Sequence, residues 1–87
     1  MKQRTANNYT VDEKYMICLY EQALLAEGMD TPFSRYRIGE LIGLQERGVN
    51  ATCKLLLRTN FLKKSGEVDI YITPHGEALV KELIYKR

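Results

Sequence analysis

The segment RIGELIGLQERGVNATCKLLLRTN, residues 37–60, holds two helical patterns with almost nothing between them. The apolar stripe of the first predicted helix, over residues 34–42, is Ile38, Leu41 and Ile42. The stripe of the second, over residues 45–59, is Val49, Cys53, Leu56 and Leu57, at the i, i+4, i+7, i+8 spacing of one helix face. Because only Gly43 and Leu44 separate them, the two helices must cross sharply in a helix-turn-helix arrangement.

The opposite side of the second helix is polar and basic. Its outward residues are Arg47, Asn50, Ala51, Lys54 and Arg58, with Gln45 at the helix start. Gly48 lies in the first turn, either to admit a close neighbour, such as a crossing helix or a phosphate, or as a tolerated defect costing about 1 kcal/mol relative to Ala. Asn60 is expected to end the helix, because Asn tolerates the left-handed conformation.

The flanking segments carry their own start and stop signals. Thr10 and Glu13 form a capping box, so a helix is predicted to start there and to run to about Glu27. Gly28 is then a natural left-handed stop. The apolar arc of this helix is about twice the width that a simple core-facing helix requires. Either another part of this chain or a second copy of it is therefore expected to cover the arc on a second side. After a break at residues 30–32, a very short edge strand is expected near Phe33.

The last third of the chain predicts a hairpin and a helix. Strands are expected over residues 61–64 and 68–72, joined by a tight turn at 65–67. Thr73 is placed as the N-cap of the last helix and Pro74 at its first position. The predicted fold is thus mostly α with a small β-hairpin, of the α+β class. A flexible N-terminal arm over residues 1–9 precedes a single domain over 10–87.

Composition narrows the class of function. The chain has 87 residues, and its longest unbroken apolar run, residues 15–20, is far too short for a membrane span. With no signal-peptide pattern, we expect a cytoplasmic protein. The cysteines, Cys18 and Cys53, are expected to be reduced core thiols. His75 has no nucleophile or carboxylate placed beside it by the pattern, so we expect no enzyme. The sequence has no metal-ligand spacing and no phosphate-binding glycine loop, so we expect no metal, cofactor or small-molecule ligand.

Positive charge gathers in the middle of the chain. Residues 31–64 hold seven basic and two acidic side chains, whereas residues 1–30 hold three basic and five acidic ones. Such clustering is typical of a surface that faces a polyanion. The alternative is that these bases are scattered over a solvated surface.

Three motifs in this order resemble the winged helix-turn-helix domains of the MarR and PadR groups of transcriptional regulators. ELIGL (residues 40–44) is similar to the end of their second helix and its turn. GVNATCKLLLRTNFLKK (48–64) is similar to a recognition helix that runs into a wing strand. IYITPHGEAL (70–79) is similar to their strand-to-helix junction. The resemblance covers roughly residues 11–84, and the wing tip departs from it by carrying the acid Glu67.

The resemblance implies a double-stranded DNA partner, with helix 45–59 in the major groove. The residues expected to contact base edges are Gln45, Arg47, Asn50 and Ala51. The residues expected to contact phosphates are Arg35, Arg37, Lys54, Arg58, Lys63 and Lys64. Arg47 would suit guanine, and Gln45 or Asn50 adenine.

A homodimeric regulator would use its first and last helices for the contact between copies. The expected interface residues are Tyr15, Leu19, Tyr20 and Leu83. For Tyr15 and Tyr20, packing inside the domain is an equal alternative. The other function class is a winged-helix module that binds a protein within a larger assembly, since one fold serves both purposes.

Overall fold

A computed structural model describes residues 9–85, which form four α-helices and a three-stranded antiparallel sheet. This confirms the predicted α+β class with mostly helical content. The elements in chain order are α1 (Val11–Leu24), β1 (Phe33–Ser34), α2 (Arg35–Leu41), α3 (Glu46–Arg58), β2 (Leu62–Ser65), β3 (Asp69–Ile72) and α4 (Pro74–Tyr85). Of the flexible arm predicted for residues 1–9, residues 1–8 lie outside the described part of the chain.

The start of α1 is confirmed, but its predicted end is wrong. The Thr10 N–H donates to Glu13 Oε1 over 3.0 Å, and Thr10 Oγ1 accepts from the Glu13 N–H over 3.2 Å. The helix ends at Leu24, before the predicted Glu27. Gly28 does not adopt the expected left-handed conformation, since the described glycines with positive φ are Gly43 and Gly66. Gly28 instead closes a local turn, in which the Thr31 hydroxyl donates to its carbonyl over 2.7 Å.

The sheet has the order β1-β3-β2, so β3 is the central strand. The short strand expected near Phe33 is confirmed, since Phe33 pairs with Ile70 and Ser34 pairs with Asp69. Ile70 and Ile72 are buried on the inner face, as their alternation predicts. Val68, predicted to share that face, precedes the strand in the turn and is 41% exposed.

Most of the wide apolar arc of α1 is covered by the rest of the same chain. α2, α3, β3 and α4 all contact α1, and Tyr15, Met16 and Leu19 have no exposed surface. Tyr20 is also buried. This corrects the expected interface: Tyr15, Leu19 and Tyr20 belong to the core of one copy, because four elements of that copy already enclose them.

The fourth expected interface residue, Leu83 on α4, is half-buried. Its carbonyl oxygen accepts a 3.0 Å hydrogen bond from the Tyr9 hydroxyl. The last residue of the predicted flexible arm is therefore attached to α4. This bond joins the residue before the Thr10 cap of α1 to the final turn of α4.

A chain of hydrogen bonds through Tyr15 joins three helices inside the core. The Cys53 thiol of α3 donates to Tyr15 Oη over 3.2 Å, and that hydroxyl donates to the Arg35 carbonyl at the start of α2 over 2.8 Å. Burial raises the pKa of the Tyr15 phenol and of the Cys53 thiol above their ordinary values. Both groups therefore remain protonated donors at neutral pH. Cys53 and the half-buried Cys18 are free thiols.

Helices α2 and α3 cross at a glycine that the sequence patterns did not single out. Gly39 of α2 is buried, and a Cβ built on it would overlap the Val49 Cγ2 methyl group of α3. The chain turns between them at Gly43, whose φ is +75°, and the Leu44 N–H donates to the Gly39 carbonyl over 2.8 Å. Leu41, assigned to the inward stripe, is 44% exposed because Gly39 takes the inward place.

The neighbour that approaches Gly48 is the turn itself. A Cβ built on Gly48 would lie 2.6 Å from the Leu44 Cδ1 atom, so the Leu44 side chain covers the first turn of α3. The close neighbour is thus the flexible end of a side chain, which can shift, so this contact agrees with either explanation of the glycine.

The junction between α3, the hairpin and α4 depends on Thr73. Asn60 has a φ of +67°, as predicted for the residue that ends α3. The Thr73 hydroxyl donates to the Asn60 carbonyl over 2.7 Å and accepts from the Gly76 N–H over 2.9 Å. A Cβ on Gly76 would overlap the Phe61 carbonyl oxygen, so α4 packs directly on the chain that leaves α3.

We expect Gly39→Ala to lower the free energy of unfolding by about 1–3 kcal/mol, because an added methyl overpacks the α2–α3 crossing. Gly48→Ala is the matched control: the end of the Leu44 side chain can move, and Ala favours helix by up to about 1 kcal/mol. Chemical denaturation followed by circular dichroism measures both. Equal stabilities of the two variants would contradict a close crossing at Gly39.

Candidate nucleic-acid interface

One face of α3 forms an exposed row, which we call the outward row. Its residues are Arg47, Asn50, Ala51, Lys54 and Arg58. They repeat at i, i+3, i+4, i+7 and i+11, so they lie on one side of the helix. The opposite side is buried through Val49, Thr52, Cys53 and Leu56. The outward row therefore presents three cations and no carboxylate to solvent along most of the 13-residue helix.

The start of α3 forms an open hollow that joins three of the four predicted base-contacting residues. The hollow measures about 670 Å³ and is lined by Gln45, Glu46, Arg47 and Asn50. Ala51, the fourth, lies one turn after Arg47 on the outward row. Glu46 was missed by sequence reasoning, which regarded it only as a charge. Here an acceptor carboxylate lies beside the Arg47 donors, a combination that can recognise polar groups of both kinds.

Asn50 is hydrogen-bonded to the preceding helix. Its Oδ1 atom accepts from the Tyr36 hydroxyl of α2 over 2.8 Å. Tyr36 was also missed, since it falls outside the apolar stripe of α2 and carries no charge. The signal that could have found it is a half-buried aromatic with a polar tip in the first turn of α2, close to a partner helix.

Arg35, expected to contact phosphate, is hydrogen-bonded to the hairpin turn. Its Nε donates to the Val68 carbonyl over 2.9 Å, and its Nη2 donates to the Glu67 carbonyl over 3.1 Å. The Arg35 backbone N–H also donates to the Val68 carbonyl, over 3.4 Å. The first residue of α2 thus attaches to the turn before β3, which places the hairpin tip relative to the helix pair. Its expected phosphate contact stays a prediction, made by a side chain that also holds the hairpin turn.

The other predicted phosphate contacts are exposed. They are Arg37, Lys54, Arg58, Lys63 and Lys64. Arg37 makes a 3.4 Å ion pair with Glu40, and both side chains are mostly exposed, so the pair restrains Arg37 weakly. Lys63 pairs with Tyr71 and Lys64 with Ile70, so the two lysines leave β2 on opposite faces. A ligand group that approaches one face of the hairpin can therefore meet only one of the two lysines.

Outside the outward row and its hollow, the described residues offer few candidate functional groups. His75 is exposed and stacks on Phe61 with ring centroids 4.5 Å apart and an interplanar angle of 11°. Within residues 9–85, His, Cys, Asp and Glu side chains form no group of three that could hold a metal ion. None of the helices in this range has the length and apolar character needed to cross a bilayer.

The chain finds no match among protein-family models, curated proteins or solved structures. What defines it is its α+β fold and the basic outward row of α3. A proposal about its function therefore rests on the charge, exposure and hydrogen bonding of residues 9–85.

We expect Arg35→Ala to lower the free energy of unfolding by about 1–2 kcal/mol, because two charge-assisted hydrogen bonds to the hairpin turn are lost. Arg37→Ala, two residues along the same helix, removes only an exposed ion pair and should cost less than about 0.5 kcal/mol. Urea denaturation of both variants makes the comparison. An Arg35 variant as stable as the Arg37 variant would contradict the anchoring role.

Proposed function

We propose that the chain is a DNA-binding protein with a winged helix-turn-helix arrangement, in which α3 enters the major groove. The observation that carries the proposal is the outward row, with three cations and two small or amide side chains on one exposed helix face. The element order α1-β1-α2-α3-β2-β3-α4 and the sheet order β1-β3-β2 support it. So does the short α2–α3 turn, which leaves the start of α3 open to solvent.

The dimensions of α3 suit this role. Thirteen residues span about 20 Å, and a major groove about 12 Å wide admits one α-helix. Arg47, beside the hollow, would donate to a guanine edge, and Gln45 would reach an adjacent base. Ala51 is small enough for the helix to approach closely, and its methyl group suits contact with a thymine methyl.

Phosphate contacts would come from both ends of this surface. Lys54 and Arg58 continue the outward row along α3 and would neutralise one strand. Arg37 on α2, together with Lys63 or Lys64 on β2, would flank the groove. The role of Arg35 is to hold the hairpin tip, through its hydrogen bonds to Glu67 and Val68.

Salt dependence tests the proposal. We expect Lys54→Ala to weaken binding to all duplexes alike and to reduce the slope of log K against log salt by about 1. Arg47→Ala should cost about 1–3 kcal/mol on the preferred duplex and relax its preference at one position. Fluorescence anisotropy with labelled duplexes measures both effects, and Lys81→Ala on α4 is the control lysine. A wild-type chain without salt-sensitive DNA binding would overturn the proposal.

We further propose that the regulator acts as a homodimer through the ends of α1 and α4. Leu24, Leu25 and Tyr85 are 54%, 82% and 67% exposed, so each of these large apolar side chains is open to a partner. Tyr85 lies near the buried Tyr20 of α1, and α1 and α4 contact each other. A two-fold axis there would present the two α3 helices to an inverted repeat, about 34–36 Å apart.

Replacing Leu25 by Glu should convert the dimer to a monomer and remove the preference for inverted repeats over half-sites. Burying an unpaired carboxylate in an apolar contact is the physical reason. Size-exclusion chromatography with light scattering measures the mass. Val68→Glu, at an apolar residue in the hairpin turn that is 41% exposed, is the control that should leave the mass unchanged. A wild-type monomer at all concentrations would refute the dimer.

The second candidate function is a protein-binding module, and one surface favours it. A groove of about 290 Å³ between α1, α3 and α4 is lined mainly by apolar side chains, including Met16, Leu55 and Leu79, with Asp12 and Glu13 at its rim. Its charge suits a partner segment with an apolar residue next to a base. Sequencing of duplexes bound from a random pool separates the candidates: an enriched inverted repeat supports the regulator. No enrichment together with a monomer supports the module.

A further inference from the structure

We infer that Glu46 sets a preference for cytosine at one position of the DNA site and weakens binding to duplexes that lack it. The inference rests on the proposed entry of α3 into the major groove. Glu46 is the one acidic residue of α3 and stands at the first position of the helix. It is exposed and lines the hollow together with Gln45, Arg47 and Asn50. The leading end of the basic helix face therefore carries a carboxylate.

The Glu46 carboxylate is available to a ligand. Among residues 9–85 it has no hydrogen-bond or ion-pair partner, although Arg47 is the next residue in the chain. Glu40 of the preceding helix, by contrast, pairs with Arg37 over 3.4 Å. Glu40 and Glu46 border one cleft between α2 and α3, so Glu46 supplies the carboxylate whose acceptors are unused there.

The chemistry of a carboxylate decides which base edge it fits. An ionised carboxylate accepts hydrogen bonds and donates none. In the major groove cytosine presents the N4 amino donor, whereas guanine presents the O6 and N7 acceptors and thymine presents the O4 acceptor. Adenine presents its N6 amino group beside the N7 acceptor, whose lone pair repels a carboxylate. Cytosine is therefore the base that Glu46 fits best.

The hollow as a whole suits DNA that contains guanine–cytosine pairs. The Arg47 guanidinium matches the two guanine acceptors, and the Glu46 carboxylate matches the cytosine amino group. Both residues lie in the first turn of α3, so entry of this turn into the groove brings a donor group and an acceptor group to the base edges together.

The charge of Glu46 also acts on duplexes without the matching cytosine. A carboxylate that enters the groove is repelled by the phosphates and loses bound water, and both effects cost binding free energy. A hydrogen bond from the cytosine amino group offsets this cost, whereas other bases leave it uncompensated. Glu46 therefore weakens binding to unmatched duplexes more than binding to the matched one, which raises specificity.

Glu46→Gln is the sharpest test, because it removes the charge and keeps the length of the side chain. Wild type and variant each select duplexes from a random pool, which identifies the position whose preference changes. Fluorescence anisotropy then measures affinities for four duplexes that differ only at that base pair. In the wild type we expect cytosine to be preferred by about tenfold, a typical cost of one mismatch. In Glu46→Gln we expect adenine to be preferred, because an amide pairs with N6 and N7 together.

Two controls separate this role from simpler effects of an acid. Glu40→Gln removes the same charge from the same cleft, and we expect it to leave every base preference unchanged. An acid in the first turn also interacts favourably with the helix dipole, so Glu46→Gln is melted by circular dichroism. A loss of helix stability acts on all duplexes alike and produces no change of preferred base.

Two results would overturn the inference while leaving DNA binding by α3 intact. One is a wild-type preference for guanine, thymine or adenine at the position that depends on Glu46. The other is a Glu46→Gln variant that keeps the wild-type preference at every position. A wild type that binds no duplex would remove the proposed function and this inference together.

Discussion

The direct contact between Gly39 and Val49 is the constraint on which the arrangement of helices depends. With no side chain on Gly39, α2 and α3 approach closely enough for the Val49 methyl to fill the space of a Cβ. Gly43 in the left-handed conformation and the bond from the Leu44 N–H to the Gly39 carbonyl allow the chain to reverse direction at that distance. Once the crossing is fixed, the side of α3 that is buried and the side that is exposed follow from helix periodicity.

Two polar connections hold this pair to the rest of the molecule. Tyr15 takes a hydrogen bond from Cys53 of α3 and gives one to the Arg35 carbonyl of α2, inside an otherwise apolar core. Thr73 connects the end of α3 to the start of α4. Buried hydrogen bonds of this kind are costly to leave unmade, so they specify one packing of the helices. The outward row can present its side chains at fixed positions only if α3 itself is held rigidly.

Much of the fold was predictable from local patterns. The Thr10 capping box, the left-handed Asn60 and the Thr73 N-cap are confirmed, because each depends on residues within a few positions of one another. The predicted end of α1 is wrong, since the turn that Gly28 makes with Thr31 replaces a further turn of helix. The outward row was predictable for the same reason as the core stripe: helix periodicity separates the two faces, and the exposed positions of Arg47, Lys54 and Arg58 agree with it.

From its periodicity and capping residues alone, the chain specifies its elements, their order and the polar side of α3. Its partners across space follow from packing, because they join residues far apart in sequence. Arg35 reaches the hairpin turn 33 positions later, and Tyr36 reaches Asn50 14 positions later. These contacts add to what the side chains do: Arg35 anchors the hairpin, and the Asn50 amide oxygen already accepts one hydrogen bond, from Tyr36. Helical spacing describes one element at a time, whereas hydrogen bonds between elements depend on how closely those elements approach.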